Sequence, residues 1–121
     1  MAKVLVVDDR PFMLRYIEHV VERAGHKPIK ARNSVEVAEA LSKESPAVVV
    51  MDVCPDEMES VQKTLRDTPS AKLIPIIMVS GLPHQPHTSN TIALKPAAIF
   101  NKPFSPTELV GTIEQLLAEA A

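Results

Sequence analysis

Ala47-Val48-Val49-Val50-Met51-Asp52 is the stretch on which the fold turns: a short, continuous apolar run, rich in β-branched residues, that ends on a carboxylate. An apolar run of this kind, with no polar alternation, is the mark of a strand covered on both faces. Lys3 to Val7 has the same character and stops abruptly at Asp8-Asp9. Two buried strands that each finish on acid are the first pointer to a site.

Between and beyond them the pattern changes period. Pro11 suits a first helical position, and Met13, Ile17, Val20, Val21 and Ala24 recur at helical spacing until Gly25 supplies a stop. Pro28 to Ala31 is a brief strand. Asn33 with Glu36 three residues on forms a capping-box pattern that opens a helix through Val37, Ala38 and Leu41, ending before Pro46. A third helix fits from about Glu57 to Asp67 with Met58, Val61 and Leu65 inward, Leu73 to Ser80 reads as a fourth strand, and Ala97 to Asn101 as a fifth. Ser105-Pro106-Thr107-Glu108 starts the last helix, whose apolar stripe is Leu109, Ile113, Leu116 and Leu117. Leu82 to Pro96, broken by Pro83, Pro86 and Pro96, leaves only Thr88 to Lys95 for a short or irregular fourth helix. Repeated strand-helix alternation with short apolar strands predicts a doubly wound α/β fold with a parallel sheet between helices.

Composition limits the function. At 121 residues the chain is expected to be a single domain, 1–121, with no output domain. Its net charge of −2 gives no field for nucleic acid. The longest apolar run, Ala47 to Met51, is far short of the roughly 20 residues that span a bilayer, so no membrane insertion is expected. One cysteine, Cys54, excludes an intrachain disulfide, and Met-Ala-Lys does not begin a signal peptide, which predicts a cytoplasmic protein. His84 and His87 read as solvated loop residues rather than metal ligands.

In a doubly wound sheet ligands bind beyond the carboxyl ends of the strands, where Asp8, Asp9, Asp52, Ser80 and Lys102 all fall. Carboxylates gathered there repel one another, so the cluster calls for a cation. Hard oxygen donors suit Mg²⁺, which is commonly held by one or two carboxylates together with phosphate oxygens. With the metal bound, a carboxylate can act as nucleophile toward a phosphoryl group while Lys102 and the Ser80 hydroxyl bind its oxygens. Taken singly, Asp8 and Asp9 would be helix-capping residues, and Asp52 or Lys102-Pro103 ordinary turn residues.

Val4-Leu5-Val6-Val7-Asp8-Asp9, Val48-Val49-Val50-Met51-Asp52, Met78-Val79-Ser80-Gly81 and Asn101-Lys102-Pro103-Phe104 resemble, in order and across nearly the whole chain, the four signatures of response-regulator receiver domains. The intervals from Asp9 to Asp52, on to Ser80 and on to Lys102 are 43, 28 and 22 residues, each long enough for a helix-strand unit. The resemblance, nearest to the single-domain chemotaxis-type regulators, implies a (βα)5 flavodoxin-like sheet of strand order 2-1-3-4-5. It implies that Asp52 is the phosphoacceptor, that Asp9 binds Mg²⁺ directly and Asp8 directly or through water, and that Cys54 lends its backbone carbonyl to the metal. Ser80 would be the switch hydroxyl and Lys102 the cation that pairs with the phosphoryl group. The donor would be a histidine kinase or phosphotransfer protein, and the downstream partner would bind the surface of the fourth helix, fifth strand and fifth helix. Such a chain is a self-phosphorylating switch of a two-component or phosphorelay system, not a turnover enzyme.

Several positions depart from the family pattern. Ile99 stands where an aromatic usually precedes the lysine by three, and Phe100, one residue on, must face the other side of the sheet. Pro55 comes one residue early, Ser60 replaces a common glycine, and the proline-broken 82–96 stretch alters the partner surface. The resemblance implies that the side chains two residues after the phosphoacceptor and two after the switch hydroxyl orient or exclude the hydrolytic water; here these are Cys54 and Leu82, poor at orienting water, which predicts slow autodephosphorylation. The alternative is a degenerate, non-phosphorylated receiver that serves as a constitutive adaptor or dimerisation module. A phosphatase or nucleotide-binding enzyme is disfavoured because Asp52-Val53-Cys54 lacks a second acid and the chain's three glycines form no phosphate loop.

Overall fold

The computed structural model describes residues 2–52, 55–80, 97–101 and 104–120. Its first strand, β1 (Lys3–Asp8), pairs in parallel on both sides, with β2 (Lys27–Ala31) and with β3 (Val48–Asp52). β3 pairs in turn with β4 (Ile76–Ser80) and β4 with β5 (Ala98–Asn101). The result is a five-stranded parallel sheet of order 2-1-3-4-5, as expected from the resemblance.

Double winding follows from the pleat, because successive side chains in a strand face opposite ways. Val4, Val6, Val48, Val50, Ile77 and Val79 pack with Leu14, Ile17 and Val21 of α1 (Pro11–Arg23) and with Leu109 and Ile113 of α4 (Pro106–Ala120). Leu5, Val7, Val49, Met51 and Met78 face the other way, onto Val37 and Leu41 of α2 (Ser34–Glu44) and Val61 and Leu65 of α3 (Pro55–Asp67). The central strands therefore need apolar residues at every position, which is why their sequence does not alternate. α4 is the helix expected as the fifth; the expected fourth, within Thr88 to Lys95, lies outside the described residues.

Helix ends obey local chemistry. Pro11 opens α1, and Gly25 beyond its end takes a left-handed φ of 89°. Asn33 Oδ1 accepts the Glu36 N–H at 2.9 Å, while Glu36 Oε1 accepts the N–H of Arg32 at 2.7 Å, so the reciprocal cap reaches one residue further back than the usual box. Ser105 Oγ accepts the Glu108 N–H at 3.2 Å, as predicted. The foot of the sheet is tied to α4 by His26, whose Nδ1 accepts the Ala2 N–H at 3.1 Å and whose Nε2 lies 2.6 Å from Glu114 Oε1. Because Nδ1 accepts, the ring proton belongs on Nε2 and donates to the carboxylate.

Some boundaries moved. The fourth strand starts at Ile76 rather than Leu73, since Pro69–Leu73 is a 3₁₀ turn and Leu73 is exposed. Pro75 has no N–H to give the ladder, although its carbonyl accepts from Val49 at 3.0 Å, so regular pairing begins after it. The third helix begins at Pro55, two residues before the expected Glu57, the second strand at Lys27, and the first strand extends to Asp8. On α1 Leu14 rather than Met13 is fully inside, and on α2 Ala40 rather than Ala38. Among the described residues no helix is long and apolar enough to cross a membrane.

Ser45, beyond the end of α2, adopts φ 50° and ψ 61°, a left-handed conformation that a Cβ disfavours. Replacing it with glycine, Ser45→Gly, should raise stability by about 0.5–1 kcal/mol in urea unfolding with an unchanged slope. A lower midpoint would mean that the serine side chain contributes more than its backbone strain removes.

Candidate functional site

The acidic edge is assembled by strand register. Asp8 closes β1 and Asp52 closes β3, and the two are register partners in adjacent parallel strands, whose spacing is about 4.8 Å. One strand further, Asp52 pairs with Val79, so Ser80 stands one residue beyond that row, and Ser80 pairs with Asn101. Asp8, Asp52 and Ser80 are thus brought to one edge of the sheet, with Asp9 just past β1 and Asn101 immediately before Lys102. Lys102, Cys54, Gly81 and Leu82 lie outside the described residues, as do His84 and His87.

Among the described side chains of this edge, Asp8 has no exposed surface, whereas Asp9 is exposed. Its Oδ1 accepts the Arg10 N–H at 2.8 Å. Arg10 is the extended residue that precedes α1, and it makes no side-chain cap of its own. Asp8 therefore braces the turn into α1 through the backbone, a local use of an aspartate two residues back. The Arg10 side chain also folds over it, with Nε 3.5 Å from Oδ1 and about half of the side chain exposed.

A carboxylate taken wholly out of water loses several kcal/mol of hydration unless it is compensated. Arg10 supplies part of that compensation. Sequence reading missed this contact: Asp8-Asp9-Arg10-Pro11 signals the turn, but nothing in it says where a long cationic side chain will fold.

The donor chemistry fits a hard divalent cation. Asp8 offers a buried carboxylate beside the register position of a second, with Asp9 adjacent in sequence and exposed. Among the described side chains no group of three metal-binding residues forms; the Asp52 side chain and Cys54 are outside that set. With a divalent cation held there, such an edge could neutralise an anionic group and present a carboxylate to it, the elementary requirements of phosphoryl acceptance.

β5 bears out the expected offset. Ile99 is 40% exposed, and Phe100, on the opposite face, packs against the cluster shared by α1 and α4. Phe104 joins that cluster and meets Tyr16 with ring centroids 5.9 Å apart. The aromatic residues near this strand thus face α1 and α4, not the side of Ile99.

Comparison with known proteins adds the following. The family described as response regulator receiver domain matches residues 4–114. A protein-glutamate methylesterase/protein-glutamine glutaminase of Halobacterium salinarum is 34% identical over 98% of this chain, which spans only 35% of that protein's length. The chemotaxis protein CheY of Thermotoga maritima is 27% identical, with 94% of this chain and 96% of CheY covered. The receiver domain of the sensor histidine kinase PA1611 of Pseudomonas aeruginosa, solved with magnesium in its active site cleft, shares the fold: TM-score 0.84, 18% identity, 97% of this chain and 98% of that one covered.

The burial contrast on β5 sets its own test. Phe100→Ala should lower unfolding stability by about 2 kcal/mol, and Ile99→Ala by less than about 1 kcal/mol. Equal losses in denaturant titrations would show that Ile99 takes part in the core.

Proposed function

The chain belongs to the response regulator receiver domain family, and from that premise we propose that it is a signalling switch that accepts a phosphoryl group on Asp52 with the help of Mg²⁺. The observation that carries this reading is the register of Asp8 with Asp52 at the carboxyl edge of the sheet, with Asp8 fully buried and Ser80 at the same edge. A buried carboxylate next to a second acidic position is unfavourable by itself and becomes useful when cation and phosphate arrive.

In this reading Asp8, Asp9, Asp52 and the backbone carbonyl of Cys54 would hold the metal. Mg²⁺ supplies charge neutralisation for the phosphoryl oxygens. A carboxylate oxygen of Asp52 attacks phosphorus of a phosphohistidine on a kinase or phosphotransfer protein; the new P–O bond forms as the P–N bond breaks, and the imidazole leaves to take up a proton. Lys102 pairs with the transferred oxygens, and the Ser80 hydroxyl donates to one of them. The chain thus catalyses its own modification and turns over no other substrate. The signal leaves through a protein partner in the cytoplasm, at a surface that includes β5 and α4.

Side chains two residues beyond Asp52 and Ser80, Cys54 and Leu82, are poor at orienting a hydrolytic water. The phosphorylated form should therefore persist for minutes or longer with Mg²⁺ present, followed by intact mass after removal of the donor. Decay within seconds would contradict that assignment.

Intact-protein mass after incubation with acetyl phosphate and MgCl₂ tests the switch itself. One added phosphoryl group in the wild type, lost without Mg²⁺ and in Asp52→Asn, is the expected outcome. A folded, Mg²⁺-binding wild type that neither acetyl phosphate nor a cognate kinase modifies would instead favour the constitutive adaptor, a reading that exposed Ile99 in place of the usual aromatic makes specific.

A further inference from the structure

We infer that Arg10 is an internal competitor for the divalent cation, a positioning residue whose guanidinium holds the Asp8 carboxylate while the metal is absent and weakens the cation's binding. The inference rests on the Mg²⁺ site proposed above and concerns how tightly this chain holds the ion.

The geometry is local and specific. Arg10 is fixed at both ends of its backbone: its N–H donates to Asp8 Oδ1 at 2.8 Å, and its carbonyl accepts the Leu14 N–H at 3.0 Å in the first turn of α1. Its side chain turns back so that Nε stands 3.5 Å from the same Asp8 oxygen. Asp8 is fully buried while the Arg10 side chain is 49% exposed. The carboxylate therefore cannot move to solvent to find a cation, whereas the guanidinium can.

A divalent ion bound at the acidic edge brings its charge close to Arg10. Two outcomes are open to the guanidinium: it remains and repels the ion, or it swings outward and gives up its ion pair. Either one weakens Mg²⁺ binding relative to a chain with a neutral residue at this position. Because the pair is half exposed, the effect should fade as salt rises. The backbone N–H of residue 10 is present whatever its side chain, so the turn into α1 keeps its hydrogen bond in every variant.

The test is Mg²⁺ affinity of the unphosphorylated full chain, by isothermal titration calorimetry with MgCl₂ at low and at high ionic strength. Arg10→Ala and Arg10→Gln should bind Mg²⁺ roughly three- to tenfold more tightly than wild type at low salt, with the gap narrowing at high salt. Arg10→Lys, which keeps the charge, should stay near wild type. Circular dichroism confirms that each variant is folded. Wild-type binding with no gain in Ala and Gln, or an equal gain in Lys, overturns the role of Arg10 and leaves the Mg²⁺ site standing. Absence of binding in the wild type and in all three variants overturns the metal site and this inference together.

Discussion

The parallel pairing of β1 with β3 is the constraint on which the rest of the molecule depends. Val4 to Val7 and Val48 to Met51 are essentially without solvent exposure, so both strands must be covered on both faces. A shift of one residue would exchange the faces of every side chain in a strand, and the observed register sends Val4, Val6, Val48 and Val50 to one helical layer and Leu5, Val7, Val49 and Met51 to the other. That register places Asp8 opposite Asp52. The acidic edge is thus a consequence of hydrophobic packing: the apolar residues decide where the carboxylates stand.

Electrostatics at that edge oppose the packing that creates it. Burying Asp8 removes hydration that only a nearby cation or several hydrogen bonds can replace. The chain answers with the Arg10 backbone N–H and with a half-exposed guanidinium, a solution that is reversible because one partner remains in contact with water. A fully buried pair would be harder to reopen. The same contacts couple the acidic edge to the first turn of α1.

The opposite end of the sheet carries a link of its own. There His26 joins the backbone of Ala2 to Glu114, linking the start of β1, the turn after α1 and the second half of α4. The His26 side chain is 8% exposed and that of Glu114 52%, so this link, like the pair at Asp8, joins a buried group to a half-exposed one. Phe100 and Phe104 add apolar packing against the cluster that α1 and α4 share. Ile99, on the far face of β5, takes no part in that packing cluster.

Much of the fold is legible in the sequence. Continuous apolar runs ending at Asp8 and Asp52 announced strands buried on both faces, and the capping signals at Asn33 and Ser105 marked the helices they open. Period-two logic placed Ile99 and Phe100 on opposite faces of β5. These features are written in nearest-neighbour chemistry, where the residue and its few neighbours suffice. The start of β4 at Ile76 was not, because a 3₁₀ turn over Pro69–Leu73 and an apolar strand draw on the same residue types. Nor was the fold-back of Arg10 onto Asp8 or the joining of His26 to Glu114 across 88 residues. The sequence shows that the central strands are buried on both faces and which edge carries acid; what compensates that acid belongs to the tertiary contacts, because a long side chain's partner is set by distances that local sequence does not encode.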